Sequence, residues 1–200
     1  IALGAEAAHQ RMLDVELQRR FAFGRLLSGR LVHAPHLRAE GEAVQFIVDG
    51  APYLMLAGEL GNSTASDRAY LAARWERLEA LHLNTVLAPI SWELIEPEEG
   101  KFDFSSLEFL IEDARAHDMR LVLLWFGAWK NSMSSYVPAW VKRDSARFPR
   151  ARTADGRALE ILSPFSEANQ QADARAFAAM MARLREIDAG RHTVLMVQVE

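Results

Sequence analysis

The sequence predicts an α/β fold, the N-terminal part of a (β/α)8 TIM barrel preceded by a helix and a β-hairpin. Three observations carry this. From about residue 68, short apolar runs alternate with helical patterns, the signature of strand–helix–strand units. The runs NTVLAPI, MRLVLLWF and TVLMVQV are almost wholly apolar, as in strands covered on both faces. Residues able to do chemistry sit at the carboxyl ends of successive runs: Glu59, then Trp92 and Glu93, then Trp129 and Asn131. In a barrel those ends meet at one pocket. An open doubly wound sheet shares this beginning, but it would carry a glycine-rich phosphate loop after its first strand, and GELGNS is not GxGxxG.

The elements follow in order. LDVELQRRFAFGRLL, within residues 1 to about 30, reads as an amphipathic helix, and residues 1–40 are expected to form an N-terminal helical segment. Residues 41–200 are expected to be the first half of a catalytic domain. AVQFIV and APYLMLAG flank Asp49–Gly50, a hairpin signal because the turn needs positive φ. RAYLAARWERLEALH carries Leu71, Trp75 and Leu78 at helical spacing. SSLEFLIEDARAH puts Leu107, Leu110, Ile111 and Ala114 on one face, with Ser105 or Ser106 as the expected N-cap. A long polar loop with aromatic residues follows MRLVLLWF. ANQQADARAFAAMMARLREI is a helix whose face carries Phe177, Met180, Met181 and Leu184, a core stripe. The chain starts at Ile1 and stops at VLMVQVE inside an apolar run, so it is expected to continue beyond residue 200.

Composition narrows the function. The chain has 200 residues, half hydrophobic and a quarter charged, with a net charge of −4. That balance argues against a nucleic-acid surface, and the basic stretch KRDSARFPRARTADGR reads as a solvated loop. No apolar run reaches the roughly 18 residues of a membrane span. Without cysteine, thiolate chemistry is excluded. The six histidines show no HExxH and no close pair, which argues against a metal site. Carboxylates and tryptophans at strand ends suit a sugar, whose C–H face stacks on aromatic rings and whose hydroxyls need polar partners. Cleaving a glycosidic bond needs two carboxyl groups, one of them protonated.

ISWELIEPEEGKFDFSSLEFLIEDARAHDMRLVLLWFGAW resembles the second and third strand units of glycoside hydrolase family 35 β-galactosidases, which read PWN-x-x-EP-x-x-G-x-x-DF. Family 42 galactosidases are similar through W-x-x-x-EP-x-x-G-x-x-DF. FIVDGAPYLMLAGE resembles the family 35 hairpin and first strand, and VLMVQVE its fourth strand, whose motif continues Q-V-E-N-E. The resemblance covers about residues 44 to 200. It implies a retaining exo-β-galactosidase that releases terminal galactose by double displacement, with two carboxyl groups roughly 5 Å apart. It implies no metal and no organic cofactor, a β-galactoside as the partner, and neither nucleic acid nor membrane. Export to the periplasm or medium is expected, with the cytoplasm as the alternative.

By that resemblance Glu59 matches the first-strand glutamate that meets the galactose hydroxyls. Asn131 matches the asparagine after the third strand. Trp92 is the motif's tryptophan and either lines the pocket or supports the strand exit. Trp129, where relatives have a tyrosine, is read as pocket wall. Glu93 is read as a structural partner, and Glu96–Pro97 as the pair that turns strand into helix, aided by Gly100. Glu200 matches the first glutamate of Q-V-E-N-E, a residue that orients its neighbours. The acid/base glutamate is expected two residues later and the nucleophile further on, so no catalytic residue falls within 1–200. Pro89 replaces a tyrosine and Met133 a glutamate, which puts galactose specificity in question more than reaction type. The rival readings are another retaining β-glycosidase of the same clan and a catalytically inactive carbohydrate-binding barrel.

Overall fold

The computed structural model describes residues 34–199. The helix expected within residues 1 to about 30, and Glu200, lie outside them. Strands β1 (His36–Glu40), β2 (Ala43–Val48) and β3 (Ala51–Pro52) form a small antiparallel sheet. The segment expected to be helical through residue 40 therefore ends as strand. HLRAE alternates with period two, and Leu37 and Ala39 stand opposite Phe46 and Val44 on one face. The Asp49–Gly50 hairpin is present: β2 pairs with β3, and φ is 51° at Asp49 and 84° at Gly50.

APYLMLAG is not one strand. Pro52 has no N–H with which to continue the ladder, and after Tyr53 the chain leaves the small sheet. It enters a second sheet as β4 (Ala57–Glu59). A short 3₁₀ turn (Thr64–Ser66) leads to α1 (Arg68–Ala80), β5 (Thr85–Ser91), α2 (Trp92–Ile95), α3 (Ser105–Ala116) and β6 (Arg120–Phe126). The expected polar loop holds α4 (Ala139–Arg143) and an antiparallel pair, β7 (Arg150–Arg152) and β8 (Ala158–Leu162). Helix α5 (Glu167–Ile187) and β9 (Val194–Val199) complete the order. Strands β4, β5, β6 and β9 make one parallel sheet in that sequence, so chain order and spatial order agree.

The apolar runs supply both faces of this sheet. Val86, Ala88 and Ile90 of β5, with Leu121, Leu123 and Trp125 of β6, pack under the helices. They meet Leu71 and Trp75 of α1, the expected face of α3 (Leu107, Leu110, Ile111, Ala114), and Ala172, Ala176, Met180 and Leu184 of α5. The alternate residues Val122, Leu124 and Phe126 form a second cluster with Leu87, Met55 and Tyr136. Helix α3 is not capped by Ser105 or Ser106. Its N-cap is Phe104, and the Asp103 carboxylate accepts the Ser105 N–H at 2.9 Å. That bond holds Asp103 below the usual carboxylate range.

Polar brackets close the amino ends of the strands. The Asn84 amide receives Leu56 N–H and donates to Leu54 O, tying β4 to β5, and Tyr53 Oη donates to Asn84 O. Asp188, 8% exposed, accepts from Arg115 at 2.6 Å and from the backbone N–H groups of Thr193 and Val194. Arg120 reaches Asp49 at 2.7 Å and so fastens the hairpin to β6.

At the other end, helix α5 holds the chain leaving β6. Asp173 accepts from Trp125 Nε1 at 2.8 Å and from Ala128 N–H at 2.9 Å. Between them only glycine fits at residue 127, where a Cβ would collide with the Asp173 carboxylate and the Trp125 indole nitrogen. Burial pushes the Asp173 carboxyl above its ordinary range, against the opposing pull of the Ala128 and Trp125 N–H groups. The folded protein therefore holds this proton more tightly than the unfolded chain. Asp173 contributes less stability as pH rises from the ordinary carboxylate range through the raised value. We predict that the Tm advantage of the wild type over Asp173→Asn shrinks between about pH 4 and about pH 7. Thermal melts of both proteins at the two pH values check this, and a constant or growing difference contradicts it.

Candidate active site

Because the four strands run the same way, Glu59, Trp92, Glu93, Trp129 and Asn131 all follow the carboxyl ends of one sheet. They do not all serve it equally. Glu59 is the last residue of β4, and it pairs with Leu87, which pairs with Val122. Paired residues of parallel strands point to one face, so Glu59 shares the face of Leu87, Val122, Leu124 and Phe126, away from the helices. Its side chain is exposed. It lies four residues below the level of Ser91, the last residue of β5, which pairs with Phe126.

Trp92 turns the other way. It is 0% exposed and belongs to the helix-side core, with its ring edge-on to Trp140 at 5.9 Å. Its indole N–H donates to Glu96 Oε2 at 2.9 Å. Of the two readings that the sequence leaves open for Trp92, pocket wall and support of the strand exit, its full burial and its bond to Glu96 fit the second. Glu96 is also 0% exposed. Its Oε1 accepts the Gly100 N–H at 2.8 Å and Arg175 Nη2 at 3.2 Å, while its carbonyl accepts Trp140 Nε1 at 3.0 Å. The Glu–Pro pair turns strand into helix because this carboxylate closes the loop that leads out of α2. Arg175 also lies 4.0 Å from Glu99, which makes a bidentate pair with Arg147. The basic segment after α4 is partly bound to acids, and Arg147 holds Glu99 below the usual carboxylate range.

Trp129 is half-buried and donates its indole N–H to Leu162 O at 3.2 Å, tying the end of β8 to the chain leaving β6. Asn131 is exposed in a tight turn closed by two backbone bonds between Lys130 and Met133, of 2.8 and 3.0 Å. Asn131 and Ser132 have φ of 52° and 61°, a left-handed conformation that asparagine tolerates better than most residues. Lys130 Nζ lies 4.4 Å from the centre of the Phe126 ring, on the face that Glu59 shares.

Glu93 is half-buried, with Lys142 Nζ 3.5 Å from one oxygen. It lines a cavity of about 50 Å³ with Asn62, Ser91, Ser106 and Tyr136. Glu59, Trp129 and Asn131 do not line it. Tyr136 escaped the sequence reading because it sits in an aperiodic stretch, SSYVP. Its carbonyl accepts the Glu93 N–H at 2.9 Å and its ring packs on Phe126 at 5.0 Å. Among the described residues no group of three His, Cys, Asp or Glu side chains could hold a metal ion. His117 stacks on Trp75 and His192 contacts Asp49, both away from the carboxyl ends.

A family model described as beta-galactosidase, that of glycoside hydrolase 42, matches residues 63–189. A beta-galactosidase of Xanthomonas manihotis is 35% identical over 85 residues, 41% of this chain and 14% of that protein's length. The matched chain is thus a small part of that relative. Residues 63–189 contain the whole Trp92–Glu96–Arg175 linkage.

That linkage should dominate local stability. Glu96→Ala leaves the Trp92 and Gly100 N–H groups without an acceptor and takes Arg175's nearest carboxylate, a cost of about 3 kcal/mol. Glu96→Gln, which keeps one acceptor oxygen, should lose less. Urea unfolding of both variants checks this, and a change under about 0.5 kcal/mol for Glu96→Ala contradicts it.

Proposed function

The chain belongs to the glycoside hydrolase 42 beta-galactosidase family, and from that premise we propose that it is the N-terminal part of a (β/α)8-barrel glycosidase acting on β-galactosides. The observation that supports this best is the sheet itself. Its four parallel strands succeed one another in chain order, and Glu59 shares the face opposite the helices. A sheet of this kind curls into a barrel with that face inward. Glu59 would then stand at the wall of the cavity, with Trp129 and Asn131 above it at the rim and Lys130 beside Phe126.

The mechanism is double displacement. One glutamic acid gives a proton to the leaving oxygen while a second carboxylate attacks the anomeric carbon, and water then releases the sugar from the covalent intermediate. The first would lie two residues beyond Glu200 and the second further on. Within residues 34–199 the task is binding. Glu59 accepts hydrogen bonds from sugar hydroxyls, and these bonds strengthen as the ring flattens and positive charge develops. Terminal galactose is the sugar released. Two of the stretches that suggested family 35, FIVDGAPYLMLAGE and VLMVQVE, lie outside residues 63–189, and the third, at residues 90–129, resembles family 42 as well, so the reading is made for β-galactosidases as a class. Periplasmic or extracellular location remains part of the proposal.

Glu59→Gln in the active protein should lower kcat/KM for an aryl β-galactoside at least about tenfold, the effect of losing a charged hydrogen bond to substrate. Its Tm should change little, because Glu59 is exposed. Steady-state kinetics with a melt of the same preparation measure both. Unchanged kinetics would remove Glu59 from the site.

A further inference from the structure

We propose that the cavity beside Glu93 is a leaving-group subsite. It would hold a hydroxyl or hydroxymethyl group of a sugar on the far side of the scissile bond. The proposal rests on the β-galactosidase reading above and adds to it the class of leaving group.

The cavity's size limits its occupant. About 50 Å³ admits a hydroxymethyl group or one to two waters, and not a pyranose ring. Its lining is polar and rich in acceptors. Glu93 offers carboxylate oxygens that Lys142, at 3.5 Å, leaves with room for other donors. Ser91 makes no side-chain capping bond to α2. Ser106, only 6% exposed, has a hydroxyl with no hydrogen-bond partner. Ser106 therefore contributes polarity to the lining, and the groups placed to meet an occupant are Glu93, Ser91 and Asn62.

Position argues for the leaving group. The cavity is lined by Pro89 and Ser91, which share the face of Phe126 and Glu59, and also by Ile90, which faces the helices. It therefore straddles the end of β5. Asn62, from the chain leaving β4, and Tyr136, from the loop after β6, also line it. A ring gripped over the inner face would reach this place only through what is attached to it. Glu93 and Tyr136 are then residues that set specificity for a hydroxyl-bearing leaving group.

The test compares two substrates of the active protein: a galactosyl disaccharide, and phenyl β-galactoside, whose leaving group has no further hydroxyls. In Glu93→Gln and in Tyr136→Phe, KM for the disaccharide should rise at least about fivefold, while kcat/KM for the phenyl galactoside stays within about twofold of wild type. Tyr136→Phe keeps the ring contact with Phe126, so it carries the test if Glu93→Gln folds poorly. Equal losses on both substrates, or none on either, overturn the subsite. A wild type that hydrolyses neither substrate overturns the β-galactosidase reading instead, and the subsite with it.

Discussion

A single buried carboxylate organises the exit from the second parallel strand. Glu96 has no exposed surface, and its two oxygens are shared among Trp92, Gly100 and Arg175. An isolated ionised carboxylate in this position would be expensive; it is tolerated because three donors surround it. The result is a joint between four parts of the chain: α2, the turn at Gly100, α5 through Arg175, and α4 through the Trp140 bond to the Glu96 carbonyl. The exit from β5 through Trp92 and Glu93 is positioned by that joint. Glu93, three residues away, lines the cavity next to this joint.

The joint and the sheet divide the work. Alternation along β5 and β6 sends one set of apolar residues to the helices and the other to the opposite face, so two clusters stabilise one sheet from both sides. Polar brackets at Asn84, Asp188 and Arg120 fix the amino ends, and the Asp173 clamp fixes the chain after β6. Loops anchored so firmly at their roots can vary in between and still hold a ligand, which is the usual division between scaffold and site.

Much of this was legible in the sequence. The runs of α1, α3 and α5 carry apolar residues at helical spacing, and every residue named for their buried faces is buried or packed on the core. The structural reading of Glu96–Pro97 came from motif likeness, and the geometry supplies its cause. What stayed hidden had no period. Trp92 and Trp129 have the same chemistry, and only tertiary packing makes one core and leaves the other half-exposed. The β7–β8 pair was concealed by its arginines and short length. Phe104 rather than a serine is the N-cap of α3, and the Asp103 carboxylate accepts the Ser105 N–H beside it. Residues 36–40, expected within a helical segment, form strand β1, whose pairing with β2 no local signal specifies.

The central claim is that one sugar is gripped at the carboxyl ends of these strands, on the face that Glu59 shares with Phe126. The most direct measurement is a crystal structure of the active protein with galactose bound. The account predicts a ring over β4, β5 and β6 with a Glu59 oxygen at hydrogen-bond distance, about 2.7 Å, from a sugar hydroxyl. A galactose bound elsewhere, with Glu59 turned to solvent and untouched, would contradict it.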